Sequence, residues 1–412
     1  MKNIILLFLA IVTLVACNEA TDSSATAPAT LAAKANELAH RYIIADGHVD
    51  LPYRMKVKNF RLDREYLSIG EVTPEGHFDF VRARAGGLDA PFMSIYIPSE
   101  TQKTPGSSFA LADSLIDMVE RLVSLQPDKA AIATSPDQIE ANFAAGKISL
   151  PLGMENGAPI GTDLANLQHF YDRGIRYITL THAKDNEICD SSYDTTRTWN
   201  GLSPFGSEVV TEMNRLGIMV DISHVSDSTF YQVLEIAKAP VIASHSSSRY
   251  FTPGLERNMG DDMLKALAKN DGVIMISFGS YFTGSLPAAA WEEHGTEIET
   301  WMEATNSLHF DSAFNEFVAQ YFAEGDTVTG TVAVVADHID RVLKLAGIDH
   351  VGLGSDFDGV GMVPKGISDV SMYPALIEEL LRRGYSEEDI AKICSGNLFR
   401  VWRKVEQVAS GG

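Results

Sequence analysis

Tyr42-Ile-Ile-Ala-Asp-Gly-His48-Val-Asp50 is a short apolar run that ends on a histidine and an aspartate two residues apart. Runs of this length, bounded by turn signals, suit buried parallel strands. Residues two apart on a strand point to the same face, so this one strand end can offer a cation both an imidazole nitrogen and a carboxylate oxygen. The pattern recurs in Ile148-Ser-Leu-Pro-Leu-Gly-Met-Glu155, Tyr177-Ile-Thr-Leu-Thr-His182, Ile218-Met-Val-Asp-Ile-Ser-His224, Pro240-Val-Ile-Ala-Ser-His245 and Val351-Gly-Leu-Gly-Ser-Asp356. Titratable residues at the carboxyl ends of parallel strands lie where α/β barrels build their active sites. Six such ends in one chain point to a single polar cluster assembled from distant sequence.

Outward from these runs the chain alternates. Strands are expected at 42–47, 91–97, 148–154, 176–181, 218–223, 240–244, 272–278 and 350–355. Helical patterns lie between most of them, for example the apolar spacing from Ser107 to Leu125 and the Pro136-Asp-Gln-Ile-Glu start. Eight strands interleaved with helices predict an α/β fold, a (β/α)8 TIM barrel. A doubly wound sheet is the rival, but no GxGxxG follows the first strand. Residues 52–90 read as a long loop or short hairpin over the mouth. Residues 280–328, rich in acidic and aromatic side chains, read as a helical insertion. The tail from Ile390 to Val408 reads as one or two helices with a turn near Gly396-Asn397.

The 412 residues carry a formal net charge of −22. That balance speaks against nucleic acid as a partner, which needs clustered Lys and Arg. An acidic, solubilising surface is the simpler reading. Met1-Lys-Asn, the apolar run Ile4 to Ala16 and Cys17 read as a signal peptide over 1–17. Leu14-Val-Ala-Cys17 resembles a bacterial lipobox, with Cys17 as the acylated first mature residue. Asn18 then favours the outer membrane, with the protein facing the periplasm. Residues 18–40 read as a flexible tether and 41–409 as a single barrel domain. Cys189 and Cys394 fit no zinc pattern and no disulfide framework.

His48, Asp50, Glu155, His224 and His245 divide into two ligand sets if Glu155 is shared. His48, Asp50 and Glu155 would hold one cation, and Glu155, His224 and His245 the other. Zinc suits such a set, and manganese, cobalt or iron fit the same geometry. Two cations about 3.5–4 Å apart can acidify a bridging water and polarise a carbonyl. Asp356 is then available as the proton acceptor and donor, and His182 as the donor to an oxyanion. Arg257 could clamp a carboxylate of the substrate. Plainer readings stand beside these: Glu155 paired with Arg176, Asp356 as a turn residue, and Arg257 as a surface arginine. Lys184 could in principle be a carbamylated bridge, but Glu155 fills that place.

The segments Asp46-Gly-His-Val-Asp50-Leu-Pro, Gly153-Met-Glu155-Asn-Gly, Val220-Asp-Ile-Ser-His224-Val-Ser, Ile242-Ala-Ser-His245-Ser-Ser, Arg257-Asn-Met and Gly352-Leu-Gly-Ser-Asp356-Phe-Asp-Gly together resemble the membrane (renal) dipeptidase family, metallopeptidase family M19. The resemblance implies a TIM barrel of the metal-dependent-hydrolase type, two zinc ions and cleavage of dipeptides by a metal-bridging hydroxide, some with a D-residue second. It implies that His48, Asp50, Glu155, His224 and His245 bind metal. His182 would contact the substrate and its tetrahedral intermediate, and Asp356 would be the acid/base. Arg257 would bind the substrate's carboxylate, although Arg249 shares its loop. Family dimers leave a homodimer open. Asn156-Gly-Ala158 departs from the Gly-Gly-His of many animal members. Two rivals are an amidohydrolase acting on a lactone, β-lactam or biosynthetic peptide intermediate, and a surface lipoprotein that binds peptides without cleaving them.

Overall fold

The computed structural model describes residues 30–57, 69–284 except 71 and 74, and 330–411, with a few single positions between 297 and 317. Eight strands close a parallel barrel: β1 (Ile44–Val49), β2 (Leu88–Tyr96), β5 (Leu152–Glu155), β6 (Ile175–Thr179), β7 (Met219–Asp221), β8 (Ile242–Ser246), β9 (Val273–Ile276) and β10 (Val351–Leu353), which returns to β1. All eight expected strands are present within a few residues of their predicted ends. The expected third strand is cut at Pro151. Its first half, β4 (Ile148–Leu150), pairs outside the barrel with β3 (Ala130–Ile132). Proline has no N–H for the ladder, so the run breaks there, while its carbonyl still accepts from Met93 N at 2.8 Å.

Helices cover the outside. Ser107–Leu125 begins where its apolar spacing places it, and Val332–Ala346 starts with Thr331 Oγ1 accepting from Ala333 N. Pro136–Ala144 starts with Ser135 Oγ accepting from Gln138 N. The amino end of the barrel is plugged by the helix Asn397–Ala409. Its Leu398, Phe399 and Trp402 pack with Ala45, Phe92, Tyr177, Met219, Ile242 and Met275 from the barrel strands. Both Cys189 and Cys394 are buried free thiols.

Three expectations change. The flexible tether expected over 18–40 does not hold for residues 31–40, because Leu31–Arg41 is a helix. Thr30 caps it, and Ala35, Leu38 and Ala39 form a buried stripe against the helix Tyr373–Arg382. Alanine, which with Thr and Ser makes this stretch read as a linker, is also the strongest helix former. Segment 52–90 is neither plain loop nor hairpin in its described parts, since it carries helices at Leu51–Val57 and Phe80–Gly86. Gly396 and Asn397 do not turn. They continue a π-helical segment, Lys392–Gly396, into the last helix, and Asn397 Nδ2 donates to the carbonyls of Ile348 and Val351. Most of the insertion expected at 280–328, and all of 1–29 with Cys17, lie outside the described residues. Among the described residues no helix is long and apolar enough to cross a membrane.

Candidate metal centre and active site

The carboxyl ends of the barrel strands converge on Glu155, the last residue of β5. One carboxylate oxygen, Oε2, lies 3.3 Å from His48 Nε2. The other, Oε1, lies 3.1 Å from His224 Nε2 and 3.3 Å from His245 Nε2. His48 Nε2 is also 3.3 Å from Asp50 Oδ2. All five side chains are buried. A carboxylate whose two oxygens face different histidines is the bridging arrangement the two ligand sets require. The alternative partner, Arg176, sits near the start of β6. It donates to the carbonyls of Thr134, Tyr171 and Ile175, at the far end of the barrel from Glu155. Lys184 is exposed and faces Asp194 at 3.8 Å.

Donor chemistry tests whether cations fit. His224 Nε2 and His245 Nε2 are 2.8 Å apart, and Arg257 Nη2 donates toward His224 Nε2 at 3.0 Å. A guanidinium can only donate, so that nitrogen carries a lone pair. The lone pair of His224 Nε2 thus faces those of Glu155 Oε1 at 3.1 Å, with His245 Nε2 2.8 Å from the one and 3.3 Å from the other. Burial, the Arg257 charge and the neighbouring imidazoles hold His224 and His245 well below their ordinary range, hence neutral. Burial also opposes charge on His48, but Tyr177, Glu155 and Asp50 outweigh it and hold it well above. The same groups that favour a proton there favour a cation. His48 Nε2 and Asp50 Oδ1 are buried without a hydrogen-bond partner. Three overlapping trios have ligand atoms within 4.8 Å: His48, Glu155 and His245; Glu155, His182 and His224; His48, Asp50 and Asp356. The residues present fit divalent cations.

The remaining predicted residues ring this cluster. His182 Nε2 is 3.6 Å from Glu155 Oε1, farther than the other imidazoles, and its Nδ1 is buried without a partner. Burial, with Arg257 and His48, lowers its pKa, so it is a neutral ring with an N–H to donate. Asp356 follows β10 and is buried among carboxylates. Burial, Asp50 and Glu155 push it well above its ordinary range, against His48 and Arg257. Its φ of +65°, with +66° at His224 and +81° at Asn156, puts three left-handed non-glycine residues at or beside the cluster. Such backbone persists only where its surroundings over-determine it. Arg257, not Arg249, reaches the site. Arg257 is buried, donates to His245 O at 2.6 Å and leaves Nε and Nη1 unpartnered. Arg249 is committed to Asp227 through both Nη atoms.

Four positions that sequence reasoning did not single out support the cluster. Asp46 and Asp221 brace the strand ends, and Tyr177 and Ser244 stand behind His48 and His245. Asp46 and Ser244 fall within the quoted motifs two residues and one residue before a ligand, and that proximity was their only signal.

A family model described as membrane dipeptidase, peptidase family M19, matches residues 32–411. The chain is 38% identical over 377 residues to the Aspergillus oryzae protein named dipeptidase aclJ, covering 90% of this chain and 79% of that one. Among solved structures it is similar to the probable dipeptidase PvdM from Pseudomonas aeruginosa (26% identity, TM-score 0.77, covering 92% and 99% of the two chains). It is also similar in fold to a Rhodobacter sphaeroides metallo peptidase solved with a phosphinate mimic of L-Ala-D-Ala (24% identity, TM-score 0.70, 88% and 99%).

Proposed function

The chain belongs to the membrane dipeptidase family, peptidase family M19, and is a metallo-dipeptidase; from that premise we propose that it works with two zinc ions on dipeptides that include L-Xaa-D-Xaa. The observation that carries the reading is the split carboxylate of Glu155, with Oε2 toward His48 and Oε1 toward His224 and His245. His48, Asp50 and Glu155 hold one cation, and Glu155, His224 and His245 the other. Cations so placed supply Lewis acidity toward the scissile carbonyl and toward a water.

The protein's own groups do the rest. Arg257, with Nε and Nη1 free, holds the dipeptide's terminal carboxylate and sets the register of the peptide bond. Asp356 takes the proton of the attacking water and hands it to the leaving amine. Its carboxylate has a ligand atom within 4.8 Å of those of His48 and Asp50, so it stands beside the water that the cations would hold. His182 donates to the oxyanion as the carbonyl carbon becomes tetrahedral. The inclusion of L-Xaa-D-Xaa draws on the ligand of the Rhodobacter sphaeroides metallo peptidase, a phosphinate mimic of L-Ala-D-Ala.

Chelation is expected to abolish dipeptide hydrolysis and zinc to restore it. Turnover that survives verified metal removal rules the reading out. A panel of L-L and L-D dipeptides run beside lactones and β-lactams separates it from the amidohydrolase alternative. We propose further that Cys17 is acylated and tethers the enzyme to the outer membrane, facing the periplasm. A Cys17→Ala chain that stays in the membrane fraction would refute that anchor.

A further inference from the structure

Two hydroxyls stand directly behind the imidazoles of the cluster, and counting their protons assigns the imidazole tautomers. The Tyr177 hydroxyl donates to Gly47 O at 3.0 Å, and its oxygen lies 2.8 Å from His48 Nδ1. A phenol has one proton, and a carbonyl can only accept. Nδ1 of His48 is therefore the donor of the second bond, and Nε2, which faces Asp50 and Glu155, is the nitrogen that would carry the lone pair when a cation takes the place of its proton.

The same count holds for His245 with different partners. Ser244 Oγ donates to Asp221 Oδ2 at 2.5 Å and lies 2.8 Å from His245 Nδ1. Its one proton is committed to a carboxylate, so His245 Nδ1 donates and Nε2 is bare toward Glu155. His224 and His182 have no such support, since Nδ1 of each is buried without a partner. Each proposed ligand set thus contains one imidazole whose tautomer is fixed from behind: His48 in one, His245 in the other.

We infer that Tyr177 and Ser244 are positioning residues that each serve a different cation, Tyr177 through His48 and Ser244, backed by Asp221, through His245. The inference rests on the two-cation reading above. A cation needs the bare Nε2, and an imidazole is free to carry its proton on either nitrogen. Removing the hydroxyl leaves a buried Nδ1–H without an acceptor and favours moving the proton to Nε2, beside the carboxylates, where it competes with the cation. Loss of such a partner typically weakens metal binding about 10–100-fold. Tyr177 crosses the barrel over Gly153, where a Cβ would lie 2.0 Å from the ring. Tyr177→Phe keeps that ring and deletes only the oxygen.

The test is a metal titration of chelated protein with Zn²⁺ against a chromophoric chelator, with thermal melts of each apo-protein as the folding control. The parent protein is expected to take up two tight equivalents. Tyr177→Phe and Ser244→Ala are each expected to keep one and weaken the other about 10–100-fold, and the double variant to weaken both. If both single variants keep two equivalents at parental affinity, or each weakens both alike, the hydroxyls do not act as assigned. If Ser244→Ala does not fold, Tyr177→Phe alone decides, by losing one equivalent or none. A parent protein that binds fewer than two equivalents refutes the two-cation reading itself, and the inference with it.

Discussion

Carboxylates are buried at both ends of this barrel, but the two ends supply them with very different numbers of donors. At the mouth, Asp46 Oδ1 accepts from the backbone N–H of His48 and of Ser355, both at 2.9 Å, and Oδ2 accepts from the Tyr373 hydroxyl. Asp221 repeats the device. Its Oδ1 accepts from Ser223 N and Ser244 N, and its Oδ2 from the hydroxyls of Thr179 and Ser244. In each case the carboxylate joins its own strand end to the adjacent strand, where the parallel ladder has run out and N–H groups would otherwise be orphaned. At the floor, Asp89 near the start of β2 accepts one long bond, from Ile44 N at 3.3 Å. The dense bonding coincides with the ends that aim histidines at Glu155. A buried carboxylate at the mouth is there to hold backbone, or to face the cluster; the one at the floor does neither to the same degree.

The largest effect should come from the carboxylates that face the cluster rather than brace it. Asp356→Asn keeps shape and removes the proton acceptor. Turnover on a dipeptide is expected to fall about 10²–10⁴-fold, with zinc content and unfolding free energy near those of the parent protein. Turnover within a factor of a few of the parent would move the acid/base role elsewhere. A large loss of stability would erase the division between bracing and reacting carboxylates.

The bracing pair should show the opposite balance, and should differ from each other. An asparagine at 221 still offers one oxygen to the two N–H groups, but turns its NH₂ toward two hydroxyls that were donating. Ser244 must then reverse, and the proton it turns toward His245 opposes the tautomer a cation needs. An asparagine at 46 meets one such hydroxyl, Tyr373. Asp221→Asn is expected to lose about 3 kcal/mol of unfolding free energy and Asp46→Asn about 1 kcal/mol. Denaturant unfolding of the two chelated proteins checks the order. Equal losses would mean that the hydroxyls at Asp221 add nothing beyond the shared N–H bracket.

These contrasts also explain what was readable from the chain. The barrel was legible because eight apolar runs with helical spacing between them leave few topologies, and the ligands were legible because each ends such a run. Arg257 was less so. Only the loop geometry separates it from Arg249, which is consumed by Asp227. Tyr177 was hidden because it reads as one more apolar strand residue, and its role depends on reaching His48 across the barrel from β6. Pro151 was visible as a residue, but its consequence, a strand divided between two sheets, depends on β3 being available as a partner for the first half. The helix Leu31–Arg41 is not legible from the sequence, because alanine serves linkers and helices alike until a surface exists for the Ala35, Leu38 and Ala39 stripe to pack on.

The effect expected at the floor runs the other way, in the stabilising direction. Burial raises Asp89 to about 7, with the Ile44 N–H and the charges of Arg84 and His40 opposing. An unfolded chain would ionise it near the ordinary carboxylate value of about 3.9. A carboxyl raised in the folded state contributes stability that is fully present below about 3.9 and is lost as pH climbs through about 7. Asp89→Asn keeps an oxygen for Ile44 N and cannot ionise. It should therefore match the parent protein near pH 4 and exceed it by up to about 4 kcal/mol at pH 8, as read by denaturant unfolding across that range. A parent protein whose stability difference from Asp89→Asn is flat with pH would show that donors or water reach Asp89 as well as they reach Asp46 and Asp221, and the contrast between the two ends of the barrel would be gone.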